Sequence, residues 1–135
     1  MDRIKVLVLV VPVLIYLSCN SAIRIEQKRC ADFRTGRFHL KDNQISYEVE
    51  VVRDDSLQVE KDLQSGYETI FAVKWLEKCK YQLDLKSSTN PMLSEIREYV
   101  LIVEIDSIVG KRQYFTTFPK DRVDMRTSFY MTKEN

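Results

Sequence analysis

The chain has little of what most catalytic and metal sites need. It contains one histidine, His39, and three cysteines among 135 residues. No Gly-x-Ser-x-Gly elbow accompanies that histidine, and no Cys-x-x-Cys, P-loop or Rossmann glycine pattern occurs. We therefore expect a protein that is not an enzyme and that holds neither metal nor cofactor. The enzymatic alternative is a pair of carboxylates that converge in a cleft, as in glycosidases.

Charge excess is also missing. The formal net charge is +1, and removal of Arg3, Lys5 and Asp2 with an N-terminal leader leaves a neutral chain. Nucleic-acid binding requires clustered basic residues. We therefore expect no nucleic-acid partner.

One apolar run stands out, at residues 6–17, directly after Arg3 and Lys5. About 12 helical residues span about 18 Å, against roughly 30 Å of bilayer hydrocarbon, so the run suits the core of a secretory signal. The following Leu17-Ser18-Cys19 resembles the lipobox of bacterial lipoproteins, with Tyr16 in place of the usual Leu, Val or Ile. The resemblance implies cleavage before Cys19 and lipidation of its thiol. It also implies a palmitate-type anchor in the inner or outer membrane, on the periplasmic or surface face.

This interpretation divides the chain into a signal peptide at 1–18, a lipidated tether at 19–29 and a β-domain at 30–135. An uncleaved N-terminal anchor, ordinary cleaved secretion and a strand or helix of the protein core are the alternatives for the apolar run. With Cys19 lipidated, Cys30 and Cys79 form an even pair in an oxidising compartment. We expect a disulfide between them, with two separate buried thiols as the alternative.

Apolar residues alternate with polar ones along most of the chain after Cys30, which is typical of half-buried β-strands. The pattern predicts eight strands, at 37–40, 45–51, 57–63, 67–75, 80–86, 99–108, 113–118 and 125–131. Residues 91–97 are the single helical candidate of the domain. Short connections favour an antiparallel meander, so we expect an all-β fold, either a small up-and-down barrel or a strongly curved sheet. A two-sheet sandwich is the alternative.

Carboxylates are assigned to the solvated faces of these strands. In the third strand, Leu57, Val59 and Leu63 define the expected core face, and Gln58, Glu60 and Asp62 the expected solvent face. Glu48 and Glu50 alternate with apolar residues in the second strand in the same way. Arg53 is expected to end that strand.

Most aromatic residues occupy the alternate strand positions that also carry the other apolar residues. An eight-stranded barrel can be filled by such side chains or can enclose one small ligand. The candidate residues for core or ligand pocket are Tyr47, Phe71, Trp75, Tyr81, Phe115 and Phe129. A ligand pocket would have a volume of roughly 300 Å³ or more.

Two stretches resemble a pattern of small exported Bacteroidota proteins: Cys30-x-x-x-Arg34-Thr35-Gly36-Arg37-Phe38 and Lys74-Trp75-Leu76-x-x-Cys79-x-Tyr81. The Gly-x-Phe opening is also similar to that of lipocalin-like proteins. Ser65-Gly66-Tyr67 resembles the Ser-Gly motif of membrane-bound lysozyme inhibitors. These resemblances imply a β-domain that binds a small apolar ligand or an envelope protein, or, as the alternative, inhibits a cell-wall hydrolase.

Overall fold

The alternating apolar residues form eight antiparallel strands. The structure is a computed structural model that describes residues 29–42 and 46–135. The strands are β1 (Gly36–Asp42), β2 (Tyr47–Arg53), β3 (Leu57–Asp62), β4 (Glu68–Glu77), β5 (Lys80–Ser88), β6 (Val100–Val109), β7 (Arg112–Pro119) and β8 (Thr127–Lys133).

The sheet closes into a barrel in which every strand pairs with its neighbours along the chain. Pairing of β1 with β8, through Phe38–Lys133 and Leu40–Met131, completes the ring. Closure satisfies the backbone groups of both edge strands. The predicted all-β up-and-down barrel is confirmed, and the sheet is neither open nor split into a sandwich.

The predicted helix is shorter than expected. Helix α1 covers Pro91–Ser94 between β5 and β6, and Asn90 caps it by accepting a hydrogen bond from the Met92 amide at 3.0 Å. Glu95 is the C-cap of this helix, and the Ile96 amide donates to the carbonyl oxygen of Leu93 at 3.1 Å. Within the part of the chain that the structure describes, no helix is long and apolar enough to cross a bilayer.

One end of the barrel is covered by residues 29–34, and we call it the plugged end. Residues 29–32 are helical, and the side chains of Cys30 and Phe33 are buried against the strands. Cys30 forms the predicted disulfide with Cys79 at the β4–β5 turn, with a Cα–Cα distance of 5.4 Å. The opposite end, which carries the β3–β4 and β7–β8 connections, is called the far end.

The proposed signal peptide, Cys19 and the tether up to residue 28 lie outside the described residues. Arg29, the last residue of the expected tether, is bound to the barrel. Its guanidinium donates to the carbonyl oxygens of Ile108 and Gly110 at 2.8 and 3.0 Å. The chain is therefore attached to the β6–β7 turn one residue before the disulfide.

Strand β3 is inverted relative to the sequence interpretation. Gln58 is 2% exposed and Glu60 lines the barrel interior, whereas Leu57 is 41% exposed on the outer face. Arg53 also belongs to β2 and points inward, where it is 2% exposed. The assignment of Gln58 and Glu60 to a solvent face was wrong, because Arg53 places a buried charge on this side of the barrel and β3 supplies polar partners for it.

Candidate ligand cavity

The barrel interior contains a cavity of about 160 Å³. Apolar side chains form most of its wall: Leu40, Val49, Val51, Leu83, Leu101, Val103, Phe115, Phe129 and Met131. The residues of the wall that carry polar groups are Tyr47, Gln58, Glu60, Tyr81 and Thr117. The volume is about half of what the sequence interpretation expected of a ligand pocket.

The six predicted aromatic residues divide into two groups. Four of them, Tyr47, Tyr81, Phe115 and Phe129, line the cavity, and the rings of Phe115 and Phe129 lie 6.0 Å apart. Phe71 and Trp75 pack elsewhere in the interior and do not line the cavity.

Trp75 belongs to the plugged end. Its ring lies 4.7 Å from that of Tyr81, and the guanidinium of Arg34 lies 4.6 Å above the indole. Because Tyr81 lines the cavity and contacts Trp75, it separates the cavity from the plug.

Arg53 is the main polar connection between β2 and the plug. Its Nη2 donates to the carbonyl oxygen of Phe33 at 2.6 Å, and its Nε donates to that of Arg34 at 3.0 Å. Its Nη1 donates to Tyr81 Oη at 2.6 Å and to Gln58 Oε1 at 2.9 Å. A buried cation is stabilised by such hydrogen bonds, and these bonds also fix residues 33 and 34 over the end of the barrel.

Aromatic faces add to the stabilisation of this charge. The guanidinium carbon of Arg53 lies 4.8 Å from the ring centre of Phe38 and 4.7 Å from that of Tyr81. Cation–π contacts of this kind strengthen when the cation is desolvated.

Gln58 links the Arg53 cluster to the cavity. Its Oε1 accepts from Arg53, and its Nε2 donates to Glu60 Oε1 at 2.7 Å. The amide orientation is therefore determined by both neighbours. No ion pair joins Arg53 directly to Glu60 among the described residues.

Burial raises the pKa of the Glu60 carboxyl. The hydrogen bond from Gln58 and the charge of Arg53 act in the opposite direction. Glu60 in turn affects two tyrosines near the far end. Burial, Glu60 and Asp62 together raise the pKa of Tyr47 to about 12, and burial with Glu60 raises the pKa of Tyr99. Both phenols are therefore protonated at neutral pH.

Other candidate groups lie outside the cavity. His39 Nε2 lies 2.6 Å from Glu48 Oε1 on the outer face, and Arg37 pairs with Glu50 at 2.7 Å. Across residues 29–42 and 46–135, no three His, Cys, Asp or Glu side chains come together as a metal site would require.

The Ser65-Gly66-Tyr67 stretch forms an exposed turn at the far end. Asp62 Oδ1 accepts from the amides of Gln64 and Ser65 at 2.8 and 3.2 Å, and Ser65 Oγ accepts from the Tyr67 amide at 3.2 Å. Gly66 has a φ of +76°. The turn thus has a defined conformation and presents Tyr67, which is 41% exposed.

Sequence reasoning missed Arg53, Gln58 and Glu60. A signal for Arg53 was present, because it continues the period of two set by Tyr47, Val49 and Val51. No comparable signal existed for Glu60, since the apolar residues of its own strand indicated the opposite face.

Comparison of the chain with family models, curated proteins and solved structures finds no match.

Proposed function

We propose that this protein is a non-catalytic, lipid-anchored protein of the bacterial cell envelope whose barrel binds one small, largely apolar ligand. The observation that carries the proposal is the cavity of about 160 Å³ with nine apolar residues in its wall. Ligand sites are typically apolar and contain a few polar groups that fix orientation. The cavity fits this description.

Its size limits the ligand. An apolar cavity of about 150 Å³ is large enough to bind benzene. We therefore expect a compact molecule that carries one ring or a short branched chain, rather than a long acyl chain.

Toluene is a direct probe of this proposal. We expect the wild-type protein to bind it, as measured by ligand-observed NMR. Val51→Phe should abolish binding because Val51 lines the cavity. The matched control is Val52→Phe, since Val52 is 38% exposed on the outer face of the same strand. Absence of toluene binding to the wild type, or equal binding by both variants, would contradict the proposal.

The envelope location is supported by the leader and by the disulfide. The lipobox-like Leu17-Ser18-Cys19 implies an acylated cysteine, and structural disulfides persist in exported proteins. Metabolic labelling with a palmitate analogue tests the anchor. We expect Cys19→Ala to abolish labelling, while a chain with both Cys30→Ala and Cys79→Ala stays labelled. Unchanged labelling of Cys19→Ala would overturn the lipoprotein assignment.

Inhibition of a cell-wall hydrolase is the second candidate, favoured by the exposed Ser65-Gly66-Tyr67 turn. The test is inhibition of muramidase activity by the purified protein. If the turn is the inhibitory element, Tyr67→Ala should relieve inhibition, whereas the cavity variant Val51→Phe should not. Failure of the wild type to inhibit muramidase would remove this candidate.

A further inference from the structure

Among the residues that the structure describes, Glu60 is the one acidic residue in the wall of the otherwise largely apolar cavity. Glu60 lies opposite Val51 on β2 and Thr69 on β4. Asp62, two residues further along β3, is engaged in the exposed turn through its Oδ1. The cavity wall therefore presents one acidic group to a bound molecule.

The buried arginine does not neutralise this carboxyl by direct contact. Arg53 is already bound by two backbone carbonyls, by Gln58 and by Tyr81, and it packs on two aromatic faces. Arg53 is not among the residues that line the cavity. Its charge is thus stabilised mainly by groups other than Glu60.

The Glu60 carboxyl has little compensation of its own. Oε1 accepts one hydrogen bond, from the neutral amide of Gln58, and Oε2 accepts none from the described residues. A carboxylate in an apolar environment is costly unless it is paired and hydrogen-bonded. The cavity therefore contains an acceptor that lacks a strong donor.

We infer that the ligand of this cavity is a small apolar amine, whose ammonium group binds the Glu60 carboxylate while its hydrocarbon part contacts the apolar wall. This inference rests on the proposed function and adds the chemical class of the ligand. The aromatic residues Phe115, Phe129 and Tyr47 line the same cavity, and aromatic rings attract cations.

The same geometry disfavours an anionic ligand. A carboxylate ligand would meet the like charge of Glu60 at close range. Arg53, the one buried cation among residues 29–42 and 46–135, is separated from the cavity by Gln58 and Tyr81. A neutral hydrocarbon would fill the volume but leave Glu60 without a new donor.

Toluene, benzyl alcohol, benzylamine and benzoate form a test series, since they share a ring and differ in the attached group. We expect the wild-type protein to bind benzylamine about ten- to a hundredfold more tightly than benzyl alcohol, as a charge-assisted hydrogen bond implies. Benzoate should bind most weakly. Titration calorimetry at neutral pH gives the four dissociation constants.

Glu60→Gln keeps the size of the side chain and removes its charge. We expect this variant to lose the preference for benzylamine over benzyl alcohol. The matched control is Glu50→Gln, because Glu50 lies on the outer face and pairs with Arg37. This control should keep the wild-type order of affinities.

The outcomes separate the two proposals. If toluene binds but benzylamine binds no more tightly than benzyl alcohol, the amine inference fails and the cavity proposal stands. A preference for benzylamine that persists in Glu60→Gln also overturns the inference. If none of the four compounds binds, both the inference and the proposed function fail.

Discussion

Arg53 and Gln58 face each other across β2 and β3 inside the barrel, and Arg53 Nη1 donates to Gln58 Oε1 at 2.9 Å. This pair connects two parts of the molecule. On one side the guanidinium holds the carbonyl oxygens of Phe33 and Arg34 in the plug. On the other side the amide of Gln58 donates to Glu60 in the cavity. Closure of the plugged end and the polarity of the cavity thus depend on one buried cation.

Substitution Arg53→Met should destabilise the protein by about 2–4 kcal/mol, since charge-assisted hydrogen bonds each contribute about 1.5–3 kcal/mol and their acceptors stay buried. Urea unfolding followed by the fluorescence of Trp75, the single tryptophan, measures the change. Arg37→Met is the matched control, because Arg37 is exposed and its ion pair with Glu50 is worth at most about 1 kcal/mol. Equal stability of both variants would show that Arg53 does not hold the plug.

The inversion of β3 can be tested by the same substitution at two positions. Val51 is 2% exposed and faces inward, whereas Val59 faces outward opposite Val52. We expect Val51→Thr to cost about 1–3 kcal/mol, since it places a hydroxyl in an apolar wall. Val59→Thr should change the free energy of unfolding by less than about 0.5 kcal/mol. A cost of Val59→Thr in denaturant unfolding as large as that of Val51→Thr would restore the orientation of β3 expected from the sequence.

Alternation of apolar residues was sufficient to predict eight strands and their antiparallel order. The pattern could not show which face of β3 points inward. Alternate residues of a strand lie on opposite faces, and only packing decides which of the two sets faces the core. In β3, the need of the buried Arg53 guanidinium for hydrogen-bond partners outweighed the burial of the apolar side chains of Leu57 and Val59. The cavity could not be predicted from the sequence either, because its volume depends on how side chains from all the strands fill one interior.

The disulfide was predictable from cysteine parity, and its contribution to stability can be measured. Cys30 and Cys79 are separated by 49 positions, so the chain-entropy model gives about 4 kcal/mol. We expect the double variant Cys30→Ala, Cys79→Ala to lose about this amount in urea unfolding. Reductant should destabilise the wild type to a similar extent and leave the double variant unchanged. A wild type that does not respond to reductant would indicate two separate thiols.

The raised pKa of Glu60 predicts a specific pH dependence of stability. Because burial raises this pKa in the folded state, the folded protein binds the Glu60 proton more tightly than the unfolded chain does. The resulting stabilisation is present at pH values below the unfolded pKa, near 4.5, and is lost as the pH rises through the folded pKa. The Glu60→Gln variant does not lose stability in this way, because its amide does not ionise. Its free energy of unfolding should therefore increase relative to that of the wild type as the pH rises from 4 to 7.

Asp54→Asn provides a control of opposite sign. Hydrogen bonds from the backbone amides of Ser56 and Leu57 lower the pKa of Asp54, so its carboxylate stabilises the fold above the unfolded pKa. Relative to the wild type, Asp54→Asn should lose stability as the pH rises toward the unfolded pKa of 3.8, and the difference should change little from pH 4 to 7. Each comparison with the wild type reports the substituted carboxyl, because Tyr47 and Tyr99, whose pKa values are raised by Glu60, stay protonated from pH 4 to 7. If the Glu60→Gln difference stays constant from pH 4 to 7, the Glu60 carboxyl is not desolvated, and the cavity is open to water at that point.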